Sequence, residues 1–154
     1  MREIKFKAWH NDKKVMLMAA PLNFWFQACI DKGLNPLDQD VVMLQYAGLK
    51  DKNKKEIYEG DLVAFEETVM SDVGEDKPNY IDKRIVSNFK YASGQVGERR
   101  YGREIKLVEW KNDSCGFEPF SDSQENCGQC GGGDNSEKCE VIGNIYENPE
   151  LLGI

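Results

Sequence analysis

Gln45-Tyr-Ala-Gly-Leu-Lys-Asp-Lys-Asn-Lys-Lys-Glu-Ile-Tyr-Glu-Gly-Asp-Leu-Val63 has apolar runs at both ends and a charged, turn-rich middle. Gly48, the group from Asp51 to Asn53, and Gly60-Asp61 punctuate it. Glycine takes positive φ without strain, and Asp and Asn close turns with their own side chains. Leu49, Ile57 and Tyr58 are the apolar residues between Ala47 and Leu62. The pattern predicts two β-strands joined by a long hairpin-like excursion that is pinned to the core through Ile57 and Tyr58.

Working outward, Ile4, Phe6 and Ala8 alternate with Lys5, Lys7 and Trp9, the period of a half-buried strand. His10 to Lys13 reads as a turn and Val15 to Met18 as a second strand, which gives an N-terminal hairpin. Pro21 to Ile30 is apolar throughout and fits either a core strand or a short helix, ended by Gly33 and Pro36. Val41 to Tyr46 is a strand. After Asp61 to Phe65, residues 66–79 are acidic and read as a loop. Residues 80–101 are poorly patterned and read as hairpin plus loop. Glu104 to Trp110 alternates again, with Cys115 to Phe120 as its partner across Asn112-Asp113, and Glu140 to Tyr146 is the last strand. Short strands with turns between them and little helical period imply a mainly β roll or small barrel with long loop insertions and little helix.

The 154 residues suit one domain, with 66–101 and 112–138 as loop-rich insertions. No apolar run is long enough for a membrane span, and the alternating N-terminus lacks a signal-peptide core, so a cytoplasmic location is expected. The net charge is −7 and uneven. From Asn112 onward there are nine acids and one base, Lys138. Such a surface repels phosphate, which disfavours non-specific nucleic-acid binding.

Three blocks resemble the YopX family of phage and prophage proteins: Arg2-Glu-Ile-Lys-Phe-Lys-Ala-Trp9, the central stretch, and Glu140-Val-Ile-Gly-Asn-Ile-Tyr-Glu-Asn-Pro-Glu-Leu-Leu152. The resemblance implies a phage-derived cytoplasmic protein, an SH3-like barrel or roll, and self-association. It brings no activity and no catalytic residue.

Chemistry is sparse. Five cysteines in a chain without a leader argue against a disulfide framework. Cys127-Gly-Gln-Cys130 is a C-x-x-C turn. With Cys115 and Cys139 it makes four thiolates, the set for a structural zinc with no open position. The competing reading is four free thiols in a loose loop. A redox pair is opposed by Gly131 to Gly133, which disfavour the helix such a pair needs. His10, the sole histidine, reads as a solvated turn residue, and Glu59-Gly60-Asp61 as a tight turn into a strand. Trp9, Trp25 and Trp110 read as core. Arg99, Arg100, Arg103 and Lys106 form one basic cluster near Tyr91 and Tyr101.

These readings leave a non-enzymatic, self-associating module that binds a host or phage protein. The alternative is a nucleic-acid-associated factor using the Arg99–Lys106 cluster.

Overall fold

The computed structural model describes residues 3–31, 33, 35, 39–71, 80–112, 116–120 and 135–153. It is mainly β, as the short alternating runs require. The strands are β1 (Lys5–His10), β2 (Val15–Pro21), β3 (Val41–Lys50), β4 (Glu56–Tyr58), β5 (Asp61–Ser71), β6 (Tyr80–Lys90), β7 (Val96–Leu107), β8 (Glu109–Lys111), β9 (Gly116–Glu118) and β10 (Cys139–Asn144). They form two four-stranded sheets, ordered β2-β1-β3-β4 and β10-β5-β7-β6, and a β8-β9 ribbon.

The N-terminal hairpin forms where the alternation places it. Ala8 faces Leu17 across β1 and β2. β1 is a central strand, flanked on its other side by β3. Its end is therefore buried on both faces: Ala8, Trp9 and His10 are all buried. His10 is thus a correction to the solvated-turn reading. Its ring is inside the sheet edge, and Nδ1 accepts the Lys13 amide at 3.3 Å.

The ambiguous apolar run is a helix, α1 (Leu22–Asp31). Gly33, at φ +66°, ends it and donates its amide to the Ile30 carbonyl at 2.8 Å. A left-handed glycine is a common helix stop, because it meets the last carbonyls without a Cβ clash. α1 buries Cys29 against Ala8 and Leu17, with Phe6 and Val41 beside them. That apolar setting pushes the Cys29 thiol pKa up through desolvation.

The central stretch folds as its punctuation predicts. β3 and β4 bracket the excursion, Gly48 and Gly60 sit at φ +82° and +80°, and Ile57 and Tyr58 are buried. The second core cluster gathers around it: Ala47, Ile57, Val63, Val108, Phe117, Cys139 and Val141, flanked by Leu49, Phe65 and Phe120. At Leu62-Val63-Ala64, β5 is buried on both faces.

Between residues 66 and 101 the hairpin expected over 80–101 is present, as β6, a turn at 91–95 and the start of β7, but strand replaces much of the expected loop, including the outer half of β5. Alternation failed to announce these strands because bulges interrupt the period. Three register shifts occur, and at each the extra residue lies on β5 or β6, opposite an unbroken β7. Of the 112–138 stretch, the described residues hold β9 and a short 3-10 turn at Asn135–Lys138.

Candidate functional site

Two places concentrate polar chemistry. The first is the junction where the central stretch meets both sheets. Asp61 and Asp51 are each 1% exposed there. Asp61 Oδ2 accepts the Tyr58 amide at 2.8 Å, and Oδ1 accepts from Lys7 Nζ at 3.0 Å and Asn144 Nδ2 at 3.2 Å. The Lys7 ammonium also lies 4.3 Å above the centre of the Tyr58 ring. Asp51 Oδ1 accepts the amides of Asn53 and Lys55 at 2.8 and 2.9 Å, and Oδ2 accepts that of Val141 at 3.0 Å.

A buried carboxylate is tolerated when its lone pairs are filled this way. Both groups serve as clamps, joining β1, the β3–β4 excursion, β5 and β10. Main-chain bonds reinforce the joint: Gly60 donates to Val108 at 2.7 Å, Val108 to Asp61 at 2.9 Å, and Ile145 to Gly60 at 2.8 Å.

Beside the joint is a cleft of about 250 Å3, lined by Val42, Met43, Leu44, Gly60, Leu107, Val108, Ile145 and Tyr146, with Glu59 and Glu109. Tyr146 stacks on Trp9 with ring centres 5.8 Å apart. Burial first, then the Glu59 charge, raises the Tyr146 pKa. The lining is mostly apolar side chain and main chain, with Glu59 and Glu109 as its carboxylates.

The second place is the outer part of the β6–β7 hairpin. Between residues 80 and 104, the only buried positions among the described residues are Gly97 and Gly102, neither of which has a side chain to bury. Among the described residues, the hairpin is an arm that buries no side chain of its own. Because β7 is regular, its side chains alternate strictly. Arg99, Tyr101 and Arg103 share one face, and Glu98, Arg100, Glu104 and Lys106 share the other.

The four basic residues that are close in sequence are therefore not one cluster in space. Arg100 is bound by Glu98 at 2.7 Å. Arg103 is bound by Asp82 at 2.6 Å and by Glu140 at 3.1 Å. Lys106 pairs with Glu104 at 3.4 Å and lies over the Phe65 ring. Arg99 is exposed, with its guanidinium 6.0 Å from the centre of the Phe89 ring.

The sequence marks Gly97 only as a loop glycine beside Gly94 and Gly102, and nothing in it marks Phe89. The available signal was the alternation Gly97, Arg99, Tyr101, Arg103, which becomes readable only once 96–107 is known to be a strand.

Of the four cysteines proposed for zinc, Cys115, Cys127 and Cys130 lie outside the described residues. Cys139 is fully buried in the core cluster and its thiol donates to the Ser136 carbonyl at 3.1 Å. Among the described residues no group of three or more His, Cys, Asp or Glu is placed to hold a metal. Trp9 is core, whereas Trp110 is 42% exposed and meets Phe117 edge-on. The side chain of Trp25 lies outside what is described.

The fold and its clamps define a class: a mainly β domain of two sheets locked by buried carboxylates and carrying an exposed hairpin arm. The chain belongs to the YopX family, whose family model, described as YopX protein, matches residues 5–153. No curated protein matches it. Among solved structures it is similar to the crystal structure of protein EF1440 from Enterococcus faecalis, at 20% identity over 97% of each chain, with a TM-score of 0.48. Among the described residues no helix is long and apolar enough to cross a membrane.

Proposed function

We propose that this protein is a non-enzymatic, self-associating interaction module of phage or prophage origin that works in the bacterial cytoplasm, with the β6–β7 arm as its working part. The observation that carries this reading is that none of the arm's described side chains is buried. Beyond Arg99, where β5 no longer pairs with β7, the hairpin is two-stranded, and such a ribbon contributes little to its own fold and is suited to pairing with something else. Ile85 and Val96, 58% and 62% exposed, share the arm face that holds the Arg100–Glu98 pair. Burying such a side chain contributes about 2 kcal/mol. Among the described strands β6 is also a sheet edge, the position at which strand addition occurs.

Sedimentation velocity across the micromolar range tests the reading. Wild-type protein should shift from monomer to a larger species with rising concentration. Ile85→Ser and Val96→Ser should each remove that shift while leaving the circular dichroism spectrum unchanged. A wild-type protein that stays monomeric throughout overturns self-association.

A further inference from the structure

We infer that the opposite face of the arm is a stacking platform for a short single-stranded nucleic acid. The inference uses the same arm as the reading above but a different face, so each stands or falls separately.

The platform is built around a glycine. Phe89 lies directly opposite Gly97, and a Cβ placed on Gly97 would come within 2.5 Å of the Phe89 ring. The ring can lie flat on the ribbon only because Gly97 has no side chain. Tyr91 meets Phe89 edge-on with ring centres 4.9 Å apart, and is 40% exposed. Arg99 follows Gly97 on the same face and sits over the Phe89 ring. Tyr101 is next, opposite Arg84 in register. Rings and guanidinium groups thus interleave along one face from Tyr91 to Tyr101. At about 3.4 Å per residue, the six steps from residue 95 to residue 101 span roughly 20 Å. That length holds a few nucleotides, the lower end of the site sizes known for such surfaces.

Charge selects the ligand. Residues 80–107 carry seven Lys/Arg and three Asp/Glu in a chain whose net charge is −7. The hairpin is thus a net positive segment in a chain that is acidic as a whole, and it attracts phosphate. The exposed Tyr91 ring and the half-buried Phe89 and Tyr101 rings accept any base, because every base has a stacking face, while Arg99 serves both the phosphate and the stack. At the inner end, Asp82 and Glu140 neutralise Arg103 and close off the strip. A duplex keeps its bases stacked inside and offers this face little beyond phosphate.

The test is fluorescence anisotropy of a labelled twelve-base oligothymidylate titrated with the full chain at low salt, then at increasing salt. Saturable binding is expected, with affinity falling as salt rises at a slope matching one to three phosphate contacts. Arg99→Glu and Tyr91→Ala, both at exposed positions, should each weaken it by about tenfold. Ile85→Ser, on the other face, should bind like wild type even when it no longer self-associates. Failure of sedimentation alone would remove self-association and leave this site standing. Absence of saturable binding, binding insensitive to both variants, or equal affinity for a duplex of the same length would overturn the inference.

Discussion

Asp51 and Val141 are 90 residues apart in the chain, yet the Asp51 carboxylate accepts the Val141 amide at 3.0 Å inside the protein. The same carboxylate closes its own turn by accepting from Asn53 and Lys55. One side chain therefore sets a local bend and fixes the last strand against it. Removing it leaves three main-chain donors without their acceptor. Asp51→Ala should lose about 3 kcal/mol or more in urea unfolding, and Asp51→Asn, which keeps one acceptor oxygen, should lose less.

Lys7 and Asp61 form the second clamp. Lys7→Met strands a buried charge with two hydrogen bonds instead of three and should cost about 3 kcal/mol. Adding Asp61→Asn to Lys7→Met should recover part of the loss, so the double-mutant cycle should show coupling of at least about 1 kcal/mol. Purely additive losses would show that the ion pair is incidental.

The acid limb of stability should report on Glu56. The Lys5 ammonium, hydrogen-bonded to it at 2.6 Å, holds its pKa below the ordinary 4.5, and the Tyr58 hydroxyl helps. A carboxylate depressed in the folded state contributes stability that is present above its unfolded pKa. That contribution is lost as pH falls through the lower folded value. Thermal melts of wild type and Glu56→Gln should therefore differ most above pH 4.5 and converge as the pH drops below the folded pKa of Glu56. Tyr58 acts at the other limit. Burial, then Glu56, raises its pKa well above the ordinary 10.0. Its protonated form favours the fold, and that contribution declines as pH rises from about 10 towards the folded value.

Gly60 should resist substitution. Its φ is +80°, and a Cβ there would meet the Tyr146 ring at 3.2 Å. Gly60→Ala should cost more than about 1 kcal/mol, combining backbone strain with displacement of that ring. The same change should alter Trp9 fluorescence, because Tyr146 is stacked on Trp9.

Gly97→Val should separate arm from body. It displaces Phe89 but touches no core residue. Amide exchange between residues 88 and 99 should accelerate by at least about tenfold, while the melting temperature of the body should move by only a few degrees. Equal destabilisation of both would mean the arm folds as part of the core.

Legibility followed the regularity of the backbone. The central excursion was readable because Gly48, Asp51 and Gly60 have strong turn preferences and Ile57-Tyr58 is an isolated apolar pair. The arm was readable only as a hairpin and not in its strand lengths or faces, because extra residues at 66–67, 82–83 and 86 put its strands out of period. Asp51 and Asp61 read as turn formers, which they are. Their burial depends on Val141, Lys7 and Asn144, partners far away in sequence that no local pattern announces. The four basic residues looked like one cluster because consecutive positions are close in a chain, whereas a strand sends them to opposite sides.

The clamps also impose an order of events during synthesis. Asp51 and Asp61 emerge from the ribosome long before Val141 and Asn144 exist to meet them. Until residue 144 has been added, the nascent chain carries two carboxylates whose native slots are half built, and water must keep them company. A message truncated upstream of Val141 would leave Asp51 and Asp61 each short of one donor and β5 without its β10 neighbour.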